Sequence, residues 1–253
     1  MRRLLAVLAT MLLFTLAPSS AGAITNGQVD VDNRFPFVGL LAFHAADGTY
    51  LHRCTGTLIA PKVVLTAAHC TSGTAKAFAY FDIGVVEDFR ENPSGVPGKP
   101  RTSPDFDPNT LSNDVGLVLL KQAVDLNRYP TVVEEGFLSE QKEQNGLKDA
   151  TFLTVGYGGT AGWPPPNLSF DLARRYGTLP YGGLTQNNLH LQGNTTATGE
   201  SGTCFGDSGG PHFWDETLTI VAVTSWGDAI CRSNDMTQRL DIPTVQEFLA
   251  PYI

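Results

Sequence analysis

The chain has 253 residues, 42% hydrophobic and 17% charged, enough to bury a substantial core as one large domain or two small ones. Seventeen Lys and Arg against 25 Asp and Glu give a net charge of −8, and an acidic surface argues against nucleic acid or an anionic membrane as partner. Gly at 26 positions and Pro at 16, with few long helical periodicities, fit an all-β protein rich in turns.

Residues 1–23 are a separate object. Arg2-Arg3 precede an apolar run from Leu4 to Ala17, and Ala21-Gly22-Ala23 follows, the pattern of a secretory signal ending in a small-residue cleavage site. The run is short for crossing a bilayer. Without this segment fifteen basic residues face 25 acidic ones, a net charge of −10. Beyond it, 37–43, 57–65, 78–83 and 115–120 read as short strands separated by turn signals, with a short helical turn at 66–70. The polar, Pro/Gly-rich stretch 87–110 reads as surface loops, its Glu87, Asp88 and Glu91 as a solvated acidic group rather than a calcium loop.

A joint near Tyr129-Pro130 separates 24–130 from 131–253, and the strand rhythm resumes at 152–157, 189–192, 211–214 and 218–225. Between them 158–186 reads as irregular, since Pro164-Pro165-Pro166 suits no central strand, and Arg174-Arg175 reads as a solvated pair. Pro243 followed by Val245, Phe248 and Leu249 at helical spacing predicts a short terminal helix. Cys54, Cys70, Cys204 and Cys231 fit an oxidising compartment and allow three pairings. No C-x-x-C or H-E-x-x-H occurs, so neither metal nor other cofactor is expected.

The chemistry concentrates in Gly202-Thr203-Cys204-Phe205-Gly206-Asp207-Ser208-Gly209-Gly210-Pro211, where one hydroxyl sits among glycines that let backbone amides approach a substrate oxygen. A serine is a weak nucleophile and needs a base held by a third group. Thr66-Ala67-Ala68-His69-Cys70 offers the imidazole and Ser112-Asn113-Asp114-Val115-Gly116-Leu117 the carboxylate. Gly206-x-Ser208-x-Gly210 also matches the nucleophile elbow of the α/β-hydrolases, but there the acid and the histidine follow the serine. After Ser208 the sequence holds only His212, too close to serve.

With the order His69, Asp114, Ser208, and with Ser225-Trp226-Gly227 further on, the chain from Ile24 onward resembles the chymotrypsin/trypsin-like serine proteases. That resemblance implies two perpendicular six-stranded β-barrels, a catalytic triad of His69, Asp114 and Ser208, and an oxyanion hole from the N–H groups of Gly206 and Ser208. It further implies disulfides Cys54–Cys70 and Cys204–Cys231, and an ion pair between a new N-terminus at Ile24 and Asp207. Gly202, Thr203, Phe205, Ser225, Trp226 and Gly227 become substrate-binding residues. Gly202 stands where trypsin-like members carry the pocket acid, and Asp235 is a candidate replacement. Trp226 as plain core is the alternative. The expected protein is a secreted monomer acting on polypeptides, with protein protease inhibitors as further partners. A catalytically inactive binding homologue and an esterase using the same triad remain the alternatives.

Overall fold

The computed structural model describes residues 24–85, 87–161, 167–215 and 217–253, so the expected signal segment at 1–23 and the triple proline lie outside the described residues. Six strands, β1 (Val38–His44), β2 (Tyr50–Ala60), β3 (Val63–Thr66), β4 (Lys76–Tyr80), β5 (Val96–Thr102) and β6 (Gly116–Leu120), form a closed antiparallel barrel in the order β1-β2-β3-β6-β5-β4. Six more, β7 (Thr151–Gly156), β8 (Arg175–Leu184), β9 (Asn188–Gln192), β10 (Pro211–Trp214), β11 (Thr219–Gly227) and β12 (Asn234–Arg239), run β8-β9-β12-β11-β10-β7 and close through β7 against β8. The helices are short: α1 (Ala68–Thr71), α2 (Phe137–Glu143), α3 (Thr195–Thr198) and α4 (Pro243–Leu249), the last being the expected terminal one. Among the described residues no helix is long and apolar enough to cross a membrane.

The strands differ from the sequence reading where polarity or proline hides them. The run 57–65 is a hairpin, with Thr57 opposite Leu65 and the turn at Pro61-Lys62 masked by apolar flanks. β5 lies inside a stretch read as loops. Its partner β4 extends only to Gly98, so Pro100 has β6 alone beside it, an edge-like setting where a missing N–H is tolerated. β8 and β12 went unread because they lack apolar alternation: β12 turns Asp235, Thr237, Gln238 and Arg239 inward instead.

The reading of Arg174-Arg175 as solvated is overturned. Arg174 is fully buried, its Nε 2.8 Å from the equally buried Asp30 carboxylate. Its Nη1 donates to the carbonyls of Val38 and Phe81 and to the Tyr157 hydroxyl, and its Nη2 to Asn33. Asp30 also accepts from the backbone N–H groups of Arg34 and Phe35. One guanidinium thus ties the N-terminal segment, the first barrel and the second into one unit, beside the packing of Phe35 and Phe37 on Phe213. Removing one member of a buried pair strands the other charge. Asp30→Ala is therefore expected to cost about 3–5 kcal/mol in urea denaturation; a loss within 1 kcal/mol would refute the role assigned to this clasp.

Candidate active site

α1 follows β3 directly and presents His69 at the rim of the first barrel, its side chain 28% exposed. Asp114, just before β6, is fully buried. Its Oδ2 lies 2.8 Å from His69 Nδ1, and its Oδ1 accepts from the His69 backbone N–H at 2.7 Å. The acceptor fixes the neutral tautomer, with the proton on Nδ1 and a lone pair on Nε2. Two residues of the second barrel hold Asp114: the Ser225 hydroxyl donates to its carboxylate Oδ2, and Gln238 Oε1 accepts from its backbone N–H. The sequence reading had no role for Gln238 and gave Ser225 only to substrate; an inward glutamine on a polar strand was the one available signal.

Ser208 lines two cavities together with His69. Its hydroxyl makes no hydrogen bond to the imidazole, whose Nε2 lies 3.6 Å from Cys70 Sγ. In the loop around it, Cys204 N–H donates to Asp207 Oδ2, Asp207 N–H to Cys204 O, Gly209 N–H to Thr224 O and Gly210 N–H to Asp207 O. The N–H groups of Gly206 and Ser208 have no acceptor among the described residues. Gly209 sits at φ +77°, where a Cβ would fall 2.1 Å from Thr66 Oγ1, so the turn exists only with glycine there.

Asp207 is fully buried, and burial pushes its carboxyl up to about 7 against the pull of N–H groups from Gly158, Cys204 and Ile24 and of the Arg53 charge. Ile24 is itself fully buried, and Thr25 and Gly202 exchange backbone hydrogen bonds beside it. Disulfides join Cys54 to Cys70 and Cys204 to Cys231. Cys54, Cys70 and His69 bring their ligand atoms together, but both sulfurs are spent on the bridge.

One cavity, of about 280 Å³, is walled by Thr203, Cys204, Phe205, Thr224, Ser225, Trp226 and Gly227 beside Ser208. Trp226 is 45% exposed, which removes the plain-core alternative. Gly202 and Asp235 stand behind this wall. A Cβ on Gly202 would fall 2.7 Å from the Gly193 carbonyl, and Asp235 pairs across the sheet with Gly227 and is fully buried. Burial pushes the Asp235 carboxyl up to about 7; the Thr203 side chain draws it back and the Asp207 charge raises it further. His212 Nε2 lies 3.4 Å from Asp235 and bonds the Thr224 hydroxyl, while burial pushes its imidazole down to about 3. Beneath the cavity, then, is a carboxyl with no cation to pair it among the described residues. The sequence reading had set His212 aside, and its contact with Asp235 follows only from the sheet register.

Comparison with known proteins gives one consistent picture. A family profile described as Trypsin matches residues 24–244. Among characterised relatives, a trypsin of Simulium vittatum is 26% identical over 228 residues, covering 84% of this chain and 86% of its own length. A chymotrypsin of Phaedon cochleariae is 26% identical over 223 residues, covering 83% and 75%. Among solved structures, HL collagenase superposes with a TM-score of 0.68 at 20% identity, covering 90% of this chain and 99% of its own. A mutant of human heparin binding protein does so at 0.61 and 18%, covering 90% and 95%.

The Asp235 carboxyl carries a pH signature. Between its ordinary 3.8 and about 7 the native state keeps a proton that the unfolded chain has lost, so this group's contribution falls as pH rises through that window and stays low above it. Asp235→Asn is expected to be on the order of 3 kcal/mol more favourable relative to the parent at pH 8 than at pH 4. Denaturation curves at the two pH values check this; an equal effect at both would contradict the buried, unpaired carboxyl.

Proposed function

The chain belongs to the trypsin family, and on that premise we propose that it is a secreted serine endopeptidase cutting peptide bonds through an acyl-enzyme on Ser208. The observation that carries this reading is the Asp114–His69 hydrogen bond, with His69 lining a cavity in common with Ser208 beside two backbone N–H groups that have no acceptor among the described residues. His69 Nε2 takes the Ser208 proton as Oγ bonds the substrate carbonyl carbon, and the oxyanion receives the N–H groups of Gly206 and Ser208. The same imidazole then gives that proton to the leaving amine, and water repeats the cycle on the ester. The open Ser208–His69 contact suits a site that tightens when substrate is bound.

Ile24 supplies the activation step. Ile24 is a β-branched residue at φ 52°, a conformation strained for such a side chain. A cut after Ala23 leaves an ammonium against Asp207, whose ionised form it stabilises. Such an amine has its pKa raised, so its stabilising effect is complete below about pH 8 and is lost as pH rises through the raised value. For the first specificity pocket, Asp235 behind Thr203 supports acceptance of Arg and Lys, the entering cation holding the carboxyl ionised.

A fluorophosphonate should label Ser208, and Ser208→Ala should lose labelling and on the order of 10⁵ to 10⁶ in turnover while melting as the parent does. Labelling elsewhere, or retained turnover, removes the reading. N-terminal sequencing of active secreted protein should begin at Ile24, and activity should fall in strong alkali, as the amine deprotonates. A peptide library varied at the acyl-donating residue should show Arg and Lys cleavage reduced about tenfold or more by Asp235→Asn; an unchanged preference assigns the pocket to other groups.

A further inference from the structure

The second cavity shared by His69 and Ser208 holds about 490 Å³ and is walled by Tyr50, Leu51, Arg53, the Cys54 end of its disulfide, Phe170 and Phe205. It lies across Ser208 from the cavity that β11 borders. A peptide seated along β11 and threaded past Ser208 therefore leaves its amine-side residues in this second space. Arg53 is anomalous there. Three arginines with a buried guanidinium, Arg174, Arg175 and Arg239, are each matched by an aspartate. Arg53 makes no hydrogen bond or ion pair among the described residues, and its buried Nε is unsatisfied. Its charge reaches Asp207 as a long-range pull only. The guanidinium is nonetheless held in place: it lies 4.7 Å from the centroid of Phe170, and its Nε and Nη2 lie within 3.6 Å of where a Cβ on Gly206 would be. A planar fork stacked on an aromatic face and walled by apolar groups is preorganised to receive a carboxylate through two N–H groups.

We propose that Arg53 is an anion-binding residue on the leaving-group side of Ser208, giving the enzyme a preference for peptides with a carboxylate just beyond the bond it cuts. The inference rests on the endopeptidase reading above. The carboxylate can belong to an Asp or Glu side chain or to a free chain end, and both offer the same two oxygens. Apolar Leu51 and Phe205, 44% and 54% exposed, flank the cation and shield the pair from water.

The test uses fluorogenic peptides with one fixed acyl side, varied over the two residues after the scissile bond. One set compares Glu with Gln and Asp with Asn in internal peptides; a second compares free with amidated chain ends. In the parent protein at least one acid-to-amide pair should differ by about tenfold in kcat/KM, and the difference should shrink with added salt. The set that shows it identifies the source. In Arg53→Met the ratio should fall to about one, and in Arg53→Lys it should be partly kept. A merely structural role, acting through Asp207, would lower acid and amide substrates alike and leave the ratio intact, which overturns the proposal. Equal rates for acid and amide in the parent overturn it also, without need of a variant that folds. Absence of cleavage of every peptide sinks the endopeptidase reading and this inference with it, whereas cleavage without discrimination sinks this inference alone.

Discussion

A carboxylate without water organises the loop that carries Ser208. Asp207 is completely enclosed, so each of its oxygens must be answered by a donor from the chain. The donors come from three places far apart in sequence: Gly158 after β7, Cys204 at the disulfide, and Ile24 at the start of the described chain. Room for this carboxylate is made by glycine, since a Cβ on Gly156 or Gly158 would come within 2.4 Å of its oxygens. With Asp207 pinned, the backbone on either side has little freedom. The Gly206 and Ser208 N–H groups are left without an acceptor among the described residues, a costly arrangement unless something else fills it.

The site also depends on contact between the barrels. His69 and Asp114 come from the first, but Asp114 is gripped by Ser225 on β11 and Gln238 on β12 of the second. The Arg174 clasp and the Phe35, Phe37 and Phe213 cluster hold the two together on another side. A displacement between barrels would disturb the imidazole's partner before it disturbed any strand. Stability of the interface and geometry of the site are therefore one property seen twice.

Much of this was open to a reader of the sequence, for a definite reason. Strands such as Pro211–Trp214 and Gly116–Leu120 announce themselves by compact apolar runs, and the Gly206–Gly210 and His69 segments by residue types that chemistry constrains at fixed spacing. β5, β8 and β12 escaped because they carry proline, glycine, arginine and polar side chains, several of them, such as Arg175, Thr237 and Gln238, held by hydrogen bonds that reach beyond their own strand. No local pattern encodes such bonds. Arg174 illustrates the limit: adjacent arginines look solvated until the tertiary fold supplies Asp30, 144 residues away. That Arg53 meets no carboxylate among the described residues is equally a fact about the whole fold, since it consists of what does not come near.

Arg174 and Arg175 have one more meaning. For the endopeptidase proposed above, the first proteins within reach are copies of itself, and a pair of adjacent arginines is an inviting target for any copy that accepts basic side chains. Here Arg175 is hydrogen-bonded into the sheet on both edges, opposite Gly156 on one and Val29 on the other, and Arg174 is sunk in the core. Neither can be drawn out as the free, extended strand that a protease cleft demands. On the endopeptidase reading, the clasp that joins the barrels doubles as protection against autolysis, surrendered only when the molecule has already come apart.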